Sequence, residues 1–169
     1  MFLELCPESG IVALTYRRVR AMAQRDMRTR FVLAVEDDGD EAALLEKAFE
    51  RSGYGDRLRL VADAEEATAY ILGQAPFSDR VRFPLPSLIL LDLNLKGKSG
   101  VSFLQWYRSR PESRGVPVVM LTGSVEYANV KGAFEAGATS YLVKPAEFET
   151  LVQSMKTVLT YWLVMNTPI

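Results

Sequence analysis

Carboxylate, hydroxyl and ammonium groups follow short apolar runs at four places in this sequence. They are Glu36 and Asp37 after residues 31–35, Asp92 after 88–91, Thr122 after 116–121, and Lys144 after 141–143. Short apolar runs bounded by turn residues are typical of strands buried in a parallel sheet. Because parallel strands deliver their carboxyl ends to one edge of the sheet, we expect these five side chains to meet there.

Three carboxylates brought together in this way require a positive charge among them. Two carboxylates about 5 Å apart repel by roughly 3 kcal/mol at an effective dielectric constant near 20. Either one of them takes up a proton or a cation binds between them. Oxygen ligands without His or Cys favour a hard ion, Mg²⁺ or alternatively Mn²⁺. In such a site Lys144 would supply a charge for a phosphoryl oxygen, and Thr122 would supply a hydroxyl donor.

The composition narrows the classes of function. The chain has 169 residues, 49% of them hydrophobic and 24% charged, which suits one globular domain with an extension. It contains no histidine, which excludes a Ser-His-Asp hydrolase, a His-ligated metal and a phosphohistidine on this chain. A net charge of −1 gives no indication of nucleic-acid binding, and no apolar segment is long enough to span a membrane. The single Cys6 suits a reducing compartment, so a cytoplasmic location is expected.

Strands alternate with helices from residue 31 onward. The predicted strands are 31–35, 57–62, 88–91, 116–121 and 141–143. Helices are predicted after the N-caps Asp40, Asp63, Ser99 and Ser124, and a last helix covers 146–163. The proline-rich loop 74–86 is longer than the usual connection of about 2–6 residues. This alternation predicts an α/β fold, with a parallel sheet covered by helices on both faces.

The N-terminal segment differs from the remainder of the chain. Residues 1–30 contain six arginines against three acidic residues, whereas the rest of the chain is acidic overall. We interpret residues 1–26 as a basic extension and 27–169 as the domain proper; a basic arm that binds a partner is the alternative. No second domain is expected after this one.

In the residues at the ends of its predicted strands, the sequence resembles the receiver domain of two-component response regulators. The resemblance covers residues 31–163 and depends on Glu36-Asp37, on Asp92 in Leu-Leu-Asp-Leu-Asn-Leu, on Thr122-Gly123 and on Lys144-Pro145. It implies a flavodoxin-like (βα)5 fold, doubly wound around a parallel sheet of order 2-1-3-4-5. It also implies a signalling protein rather than an enzyme, in which Asp92 accepts a phosphoryl group from a phosphohistidine of a sensor histidine kinase.

The resemblance further implies a metal site. Asp37, Asp92 and the backbone carbonyl of Asn94 would hold Mg²⁺, and Glu36 would act largely through water. The family often has Pro at the position of Lys96 and Asp-Gly at residues 99–100. These departures leave the shape of the loop and the lifetime of the phosphoryl group open.

A conformational switch is implied as well. In the family the position of Tyr141 holds an aromatic residue that turns inward when the hydroxyl at Thr122 shifts toward the phosphoryl group. Ordinary packing of Tyr141 within the sheet is the alternative.

Two features narrow the subgroup and the partners. The loop 74–86 and the tail 161–168 resemble those of stand-alone receivers that partner phytochrome-type histidine kinases. The last helix carries an apolar stripe, and Tyr161, Leu163, Val164 and Met165 add apolar surface that one stripe cannot bury. We therefore expect a homodimer formed through the C-terminal helix; a tail that folds over its own core is the alternative.

Other functions fit the residues less well. An aspartate-nucleophile phosphatase would need a second Asp two residues after Asp92, where this chain has Asn94. A flavodoxin would need a hydroxyl-rich phosphate loop where residues 36–40 are acidic. A pseudo-receiver, which would bind partners without phosphorylation, is the other alternative, although Asp92, Thr122 and Lys144 argue against it.

Overall fold

A computed structural model describes residues 30–96, 99–123 and 127–166, in which five parallel strands alternate with helices. The strands are β1 Val32–Val35, β2 Leu58–Val61, β3 Leu88–Asp92, β4 Val118–Thr122 and β5 Ser140–Val143. Their order is β2-β1-β3-β4-β5, and each neighbouring pair is parallel. The predicted flavodoxin-like (βα)5 fold is therefore confirmed. The predicted extension 1–26 lies outside the described residues.

Helices follow each strand in turn. The α-helices of the described part are α1 Gly39–Ser52, α2 Ala64–Leu72, α3 Gly100–Arg108, α4 Tyr127–Glu135 and α5 Phe148–Thr160. The last helix begins two residues later than predicted and continues as a π-helical turn, Tyr161–Met165.

The helix starts follow the predicted caps with one correction. Asp63 and Ser99 accept hydrogen bonds from backbone N–H groups of α2 and α3, as predicted. The cap of α1 is Asp38, not Asp40: its Oδ1 accepts from the backbone nitrogens of Asp40 and Glu41, both at 3.0 Å. Because α1 begins at Gly39, Asp40 already lies inside its first turn, where an acidic side chain complements the helix dipole. The predicted cap Ser124 lies outside the described residues.

The central strand β3 is buried on both faces. Leu88, Ile89, Leu90 and Leu91 are all inaccessible to solvent. Ile89 and Leu91 pack in the cluster beneath α2 and α3, whereas Leu88 and Leu90 pack in the cluster beneath α1 and α5. Burial on both faces explains why this strand is apolar without alternation.

The helical spacing of apolar residues predicts that Leu44 in α1 and Phe134 in α4 are buried, and the structure corrects both predictions. Leu44 in α1 is exposed, and Ala42 takes its place on the buried face with Leu45. Phe134 in α4 is also half-exposed. Leu163, expected to add exposed surface, is 2% exposed because it continues the buried face of Leu159 one turn further along the chain.

The long loop 74–86 is fastened to α2. The Arg80 guanidinium donates to the carbonyl oxygens of Tyr70 and Ile71, at 2.8 and 2.7 Å, at the C-terminus of the helix. The rings of Phe77 and Phe83 lie 5.2 and 6.1 Å from the Tyr70 ring, centroid to centroid. These contacts hold an otherwise irregular segment in one conformation beside the sheet.

Candidate functional site

Three carboxylates meet at the carboxyl ends of β1 and β3. Glu36, Asp37 and Asp92 each place one oxygen within 4.8 Å of the others. Val35 in β1 pairs with Leu91 in β3, so the next residues, Glu36 and Asp92, lie side by side at the edge of the sheet. Asp92 and Glu36 are both buried at the floor of the site.

Lys144 reaches the same cluster from the end of β5. Its ammonium lies 2.5 Å from Glu36 Oε2 and 3.4 Å from Asp92 Oδ1, and it also contacts a carboxylate oxygen of Glu41. The Lys144 side chain is 17% exposed, so its charge is held inside the cleft. One ammonium is thus shared by three carboxylates.

Glu41 was not among the predicted site residues. It lies in the first turn of α1, and an acidic residue at that position is usually explained by the helix dipole alone. Glu41 lies close to Lys144 because α1 begins at Gly39, soon after β1 ends at Val35. No feature of the sequence distinguishes Glu41 from the other acidic residue of this turn, Asp40.

Burial and ion pairing act in opposite directions on this cluster. Burial raises the pKa of Glu36, although the hydrogen bond and the charge of Lys144 offset part of the effect. Burial alone would lower the pKa of Lys144, but its hydrogen bonds to Glu36 and Glu41 and the charge of Asp92 outweigh burial and raise it. The Lys144 ammonium therefore offsets part of the negative charge of the cluster.

Asp37 is held by the loop that follows β3. The backbone N–H of Lys96 donates to Asp37 Oδ2 at 2.9 Å, and the Lys96 ammonium lies 3.7 Å from the same oxygen. The Lys96 side chain is 80% exposed, so its charge is largely solvated. This residue, where the receiver family often has Pro, therefore contacts a predicted metal ligand.

The other predicted residues lie on β4, on β5 and in the loop after β3. Thr122 ends β4, is fully buried, and accepts a hydrogen bond at its carbonyl oxygen from the Lys144 backbone N–H at 2.7 Å. Asn94 is exposed and lines the cleft. Tyr141 is half-buried in β5 and packs against the cluster beneath α2 and α3.

A cleft of about 240 Å³ opens above these side chains. The cleft is open to solvent and wide enough to admit water and small ions. Its lining residues include Glu36, Asp37, Asp92, Asn94 and Lys144. Carboxylate and carbonyl oxygens without nitrogen or sulfur ligands fit a hard divalent cation. Asp38 also lines the cleft, but its carboxylate caps α1.

The fold and the cleft define a flavodoxin-like domain with an acidic, lysine-containing site at the carboxyl edge of its sheet. The chain belongs to the response regulator receiver domain family, whose model matches residues 32–156. Within residues 30–96, 99–123 and 127–166, none of the helices has the length and apolar character needed to cross a membrane.

Similar proteins and structures support this assignment. The probable methanogenesis regulatory protein FilR2 of Methanothrix harundinacea is 33% identical over 135 residues, which cover 80% of this chain and 84% of FilR2. Response regulator Rcp1 of Synechocystis is 28% identical over 142 residues, covering 84% and 95%. The Mn²⁺-bound form of Rcp1 superposes with a TM-score of 0.70 at 27% identity, covering 83% of this chain and 99% of Rcp1. The phosphorylated cyanobacterial phytochrome response regulator RcpA gives a TM-score of 0.74 at 29% identity, covering 82% and 97%. The predicted resemblance to receivers of this subgroup is confirmed.

Proposed function

We propose that this chain is a phosphoacceptor response regulator in which Asp92 takes a phosphoryl group from a phosphohistidine of a sensor histidine kinase. The observation that carries the proposal is the position of the Asp92 carboxylate. It lies at the end of the central strand, 3.4 Å from the Lys144 ammonium and beside Glu36 and Asp37, and it faces an open cleft. The phosphorylated state of the relative RcpA supports the same chemistry.

The transfer requires a nucleophile and a means of holding negative charge. An Asp92 carboxylate oxygen would form a bond to phosphorus while the bond from phosphorus to the kinase imidazole nitrogen breaks. Lys144 is placed to hold a phosphoryl oxygen, since its ammonium already lies beside the carboxylate that is modified. The Thr122 hydroxyl would donate to a second phosphoryl oxygen. The chain would then act as a signalling protein and not as an enzyme on a separate substrate.

The oxygen ligands of the cleft fit Mg²⁺, with Mn²⁺ as the alternative. We assign Asp37, Asp92 and the backbone carbonyl of Asn94 as direct ligands. Glu36, whose carboxylate already accepts a hydrogen bond from Lys144, would act largely through water, as the receiver family implies. When bound, the cation would neutralise the phosphoryl oxygens. The Mn²⁺-bound form of Rcp1 supports a divalent ion at such a site.

The readout would use the switch residues and the C-terminal helix. Thr122 would shift toward the phosphoryl group, and Tyr141, which is only half-buried, would turn inward. The apolar side chains of Tyr161, Val164 and Met165 are exposed at the end of α5 and suit a homodimer contact. The similarity to Rcp1 and RcpA supports a phytochrome-type histidine kinase as the partner.

Intact-mass analysis tests the central step. The wild type is incubated with Mg²⁺ and acetyl phosphate, and its mass should rise by one phosphoryl group. The Asp92→Asn variant, which keeps the shape of the side chain, should stay unmodified, and so should the wild type in the presence of EDTA. An unmodified wild type that nevertheless binds Mg²⁺ would favour the pseudo-receiver.

A further inference from the structure

Among the described residues, Lys144 is the only cation that lies beside the acceptor Asp92, and Glu41 contacts its ammonium. The Glu41 carboxylate makes this contact from the first turn of α1. The side chain is 49% exposed, whereas that of Glu36, the other carboxylate hydrogen-bonded to this ammonium, is 2% exposed. The two contacts therefore differ: one belongs to the floor of the site and the other to its rim.

We propose that Glu41 is a positioning residue that competes with the phosphoryl group for Lys144 and so restrains phosphorylation of Asp92. This inference rests on the proposed phosphoacceptor function. In the unmodified protein Glu41 engages one N–H group of the ammonium. On phosphorylation the ammonium transfers from Glu41 to the phosphoryl oxygens.

The number of donors on a lysine explains the competition. An ammonium has three N–H groups. In this structure one points to Glu36 and another to Glu41, and Asp92 Oδ1 lies farther away at 3.4 Å. A phosphoryl group on Asp92 presents further anionic oxygens to the same ammonium. Breaking the contact with Glu41 costs less than breaking the contact with Glu36. The half-exposed Glu41 carboxylate can be solvated by water afterwards, whereas the buried Glu36 carboxylate cannot.

The competition predicts the sign of the effect of removing Glu41. The Glu41→Gln variant keeps the size of the side chain and removes its charge. It should bind beryllofluoride, a phosphoryl mimic, about two- to fivefold more tightly than wild type in the presence of Mg²⁺, the factor expected for a partly exposed ion pair. The initial rate of phosphorylation by acetyl phosphate should rise by a similar factor. Glu46→Gln is the matched control, because it removes the same charge from an exposed position of the same helix, and it should leave both values unchanged.

A double-mutant cycle separates competition for Lys144 from simple repulsion of the incoming anion. Glu41→Gln is combined with Lys144→Met, and beryllofluoride affinity is measured by calorimetry for all four proteins, with the phosphorylation rate as a second readout. If Glu41 acts through Lys144, its substitution has no effect in the Lys144→Met background. An equal gain in both backgrounds, or no gain in Glu41→Gln alone, would overturn the inference. Failure of the wild type to bind beryllofluoride or to accept phosphate would instead refute the proposed function, and the role of Glu41 with it.

Discussion

A Cβ atom on Gly100 would lie 2.1 Å from the backbone carbonyl oxygen of Asp92. The first residue of α3 therefore packs directly against the end of the strand that carries the proposed acceptor. The chain leaves β3 at Asp92 and returns to the same point after the intervening loop. Only a residue without a side chain fits there, so the position of Asp92 depends on how closely α3 approaches the sheet.

The Gly100→Ala substitution should destabilise the domain and displace the acceptor. Forcing a methyl group into a packed position costs about 1–3 kcal/mol, which urea denaturation can measure. Phosphorylation by acetyl phosphate should slow as well. Gly132→Ala in α4 is the control, since no atom lies within 4 Å of the position of its Cβ. Alanine there should be neutral or stabilise by up to about 1 kcal/mol, as expected for a helix interior. Equal stability of the two variants would contradict the close approach at Gly100.

Replacing Lys96 should strengthen Mg²⁺ binding. In Lys96→Ala the ammonium that lies 3.7 Å from Asp37 Oδ2 is removed, while the backbone N–H that donates to this oxygen is kept. Calorimetry should show an affinity about two- to fivefold higher at low salt, and the gain should shrink as salt screens this exposed charge. Lys47→Ala, an exposed lysine of α1, serves as the control. Asp37→Ala should abolish saturable binding, and unchanged affinity in that variant would assign the metal ligand elsewhere.

Removal of the Lys144 charge should separate metal binding from the response to phosphorylation. An ammonium repels a cation and attracts phosphoryl oxygens, so Lys144→Ala should bind Mg²⁺ at least as tightly as wild type but bind beryllofluoride more weakly. Without metal the variant should also lose about 1–3 kcal/mol of stability, because Glu36 Oε2 is left buried without its donor. Added Mg²⁺ should restore part of this loss in urea denaturation. If the substitution abolishes metal binding instead, Lys144 is a structural counter-ion.

Charges placed in the exposed apolar patch at the end of α5 should disrupt the proposed homodimer. Val164 and Met165 are 44% and 70% exposed, so a Val164→Glu/Met165→Glu double variant leaves the core intact. Analytical ultracentrifugation at micromolar concentration should then show a dimer for wild type and a monomer for the variant. Val81→Glu changes an apolar residue in the long loop that is even more exposed, and this variant should remain dimeric. A monomeric wild type, both with and without acetyl phosphate, would refute the dimer.

The parallel sheet and the meeting of the acidic residues at its edge could be predicted because both follow from local patterns, whereas the strand order was implied by the resemblance to receivers. A continuous apolar run bounded by turn residues, such as 88–91, is typical of a strand covered on both faces, and parallel strands present their carboxyl ends at one edge. The caps Asp63 and Ser99 were predictable for a similar reason, since each acts on the N–H groups of its own first turn. Asp38 was missed as a cap, because a run of acidic residues offers several equivalent candidates.

The sequence by itself therefore determined the fold, the edge of the sheet where the chemistry lies, and the residues Asp92, Asp37 and Lys144 that reach it. Only the tertiary structure decided which groups touch one another there. Lys144 and Glu36 are 108 positions apart, and the contact of Lys144 with Glu41 depends on where α1 begins and how far the lysine side chain extends. The need for glycine at position 100 likewise arises from the separation between a helix and a strand. Such distances are set by the packing of the whole sheet with its helices, which no local pattern of residue types records.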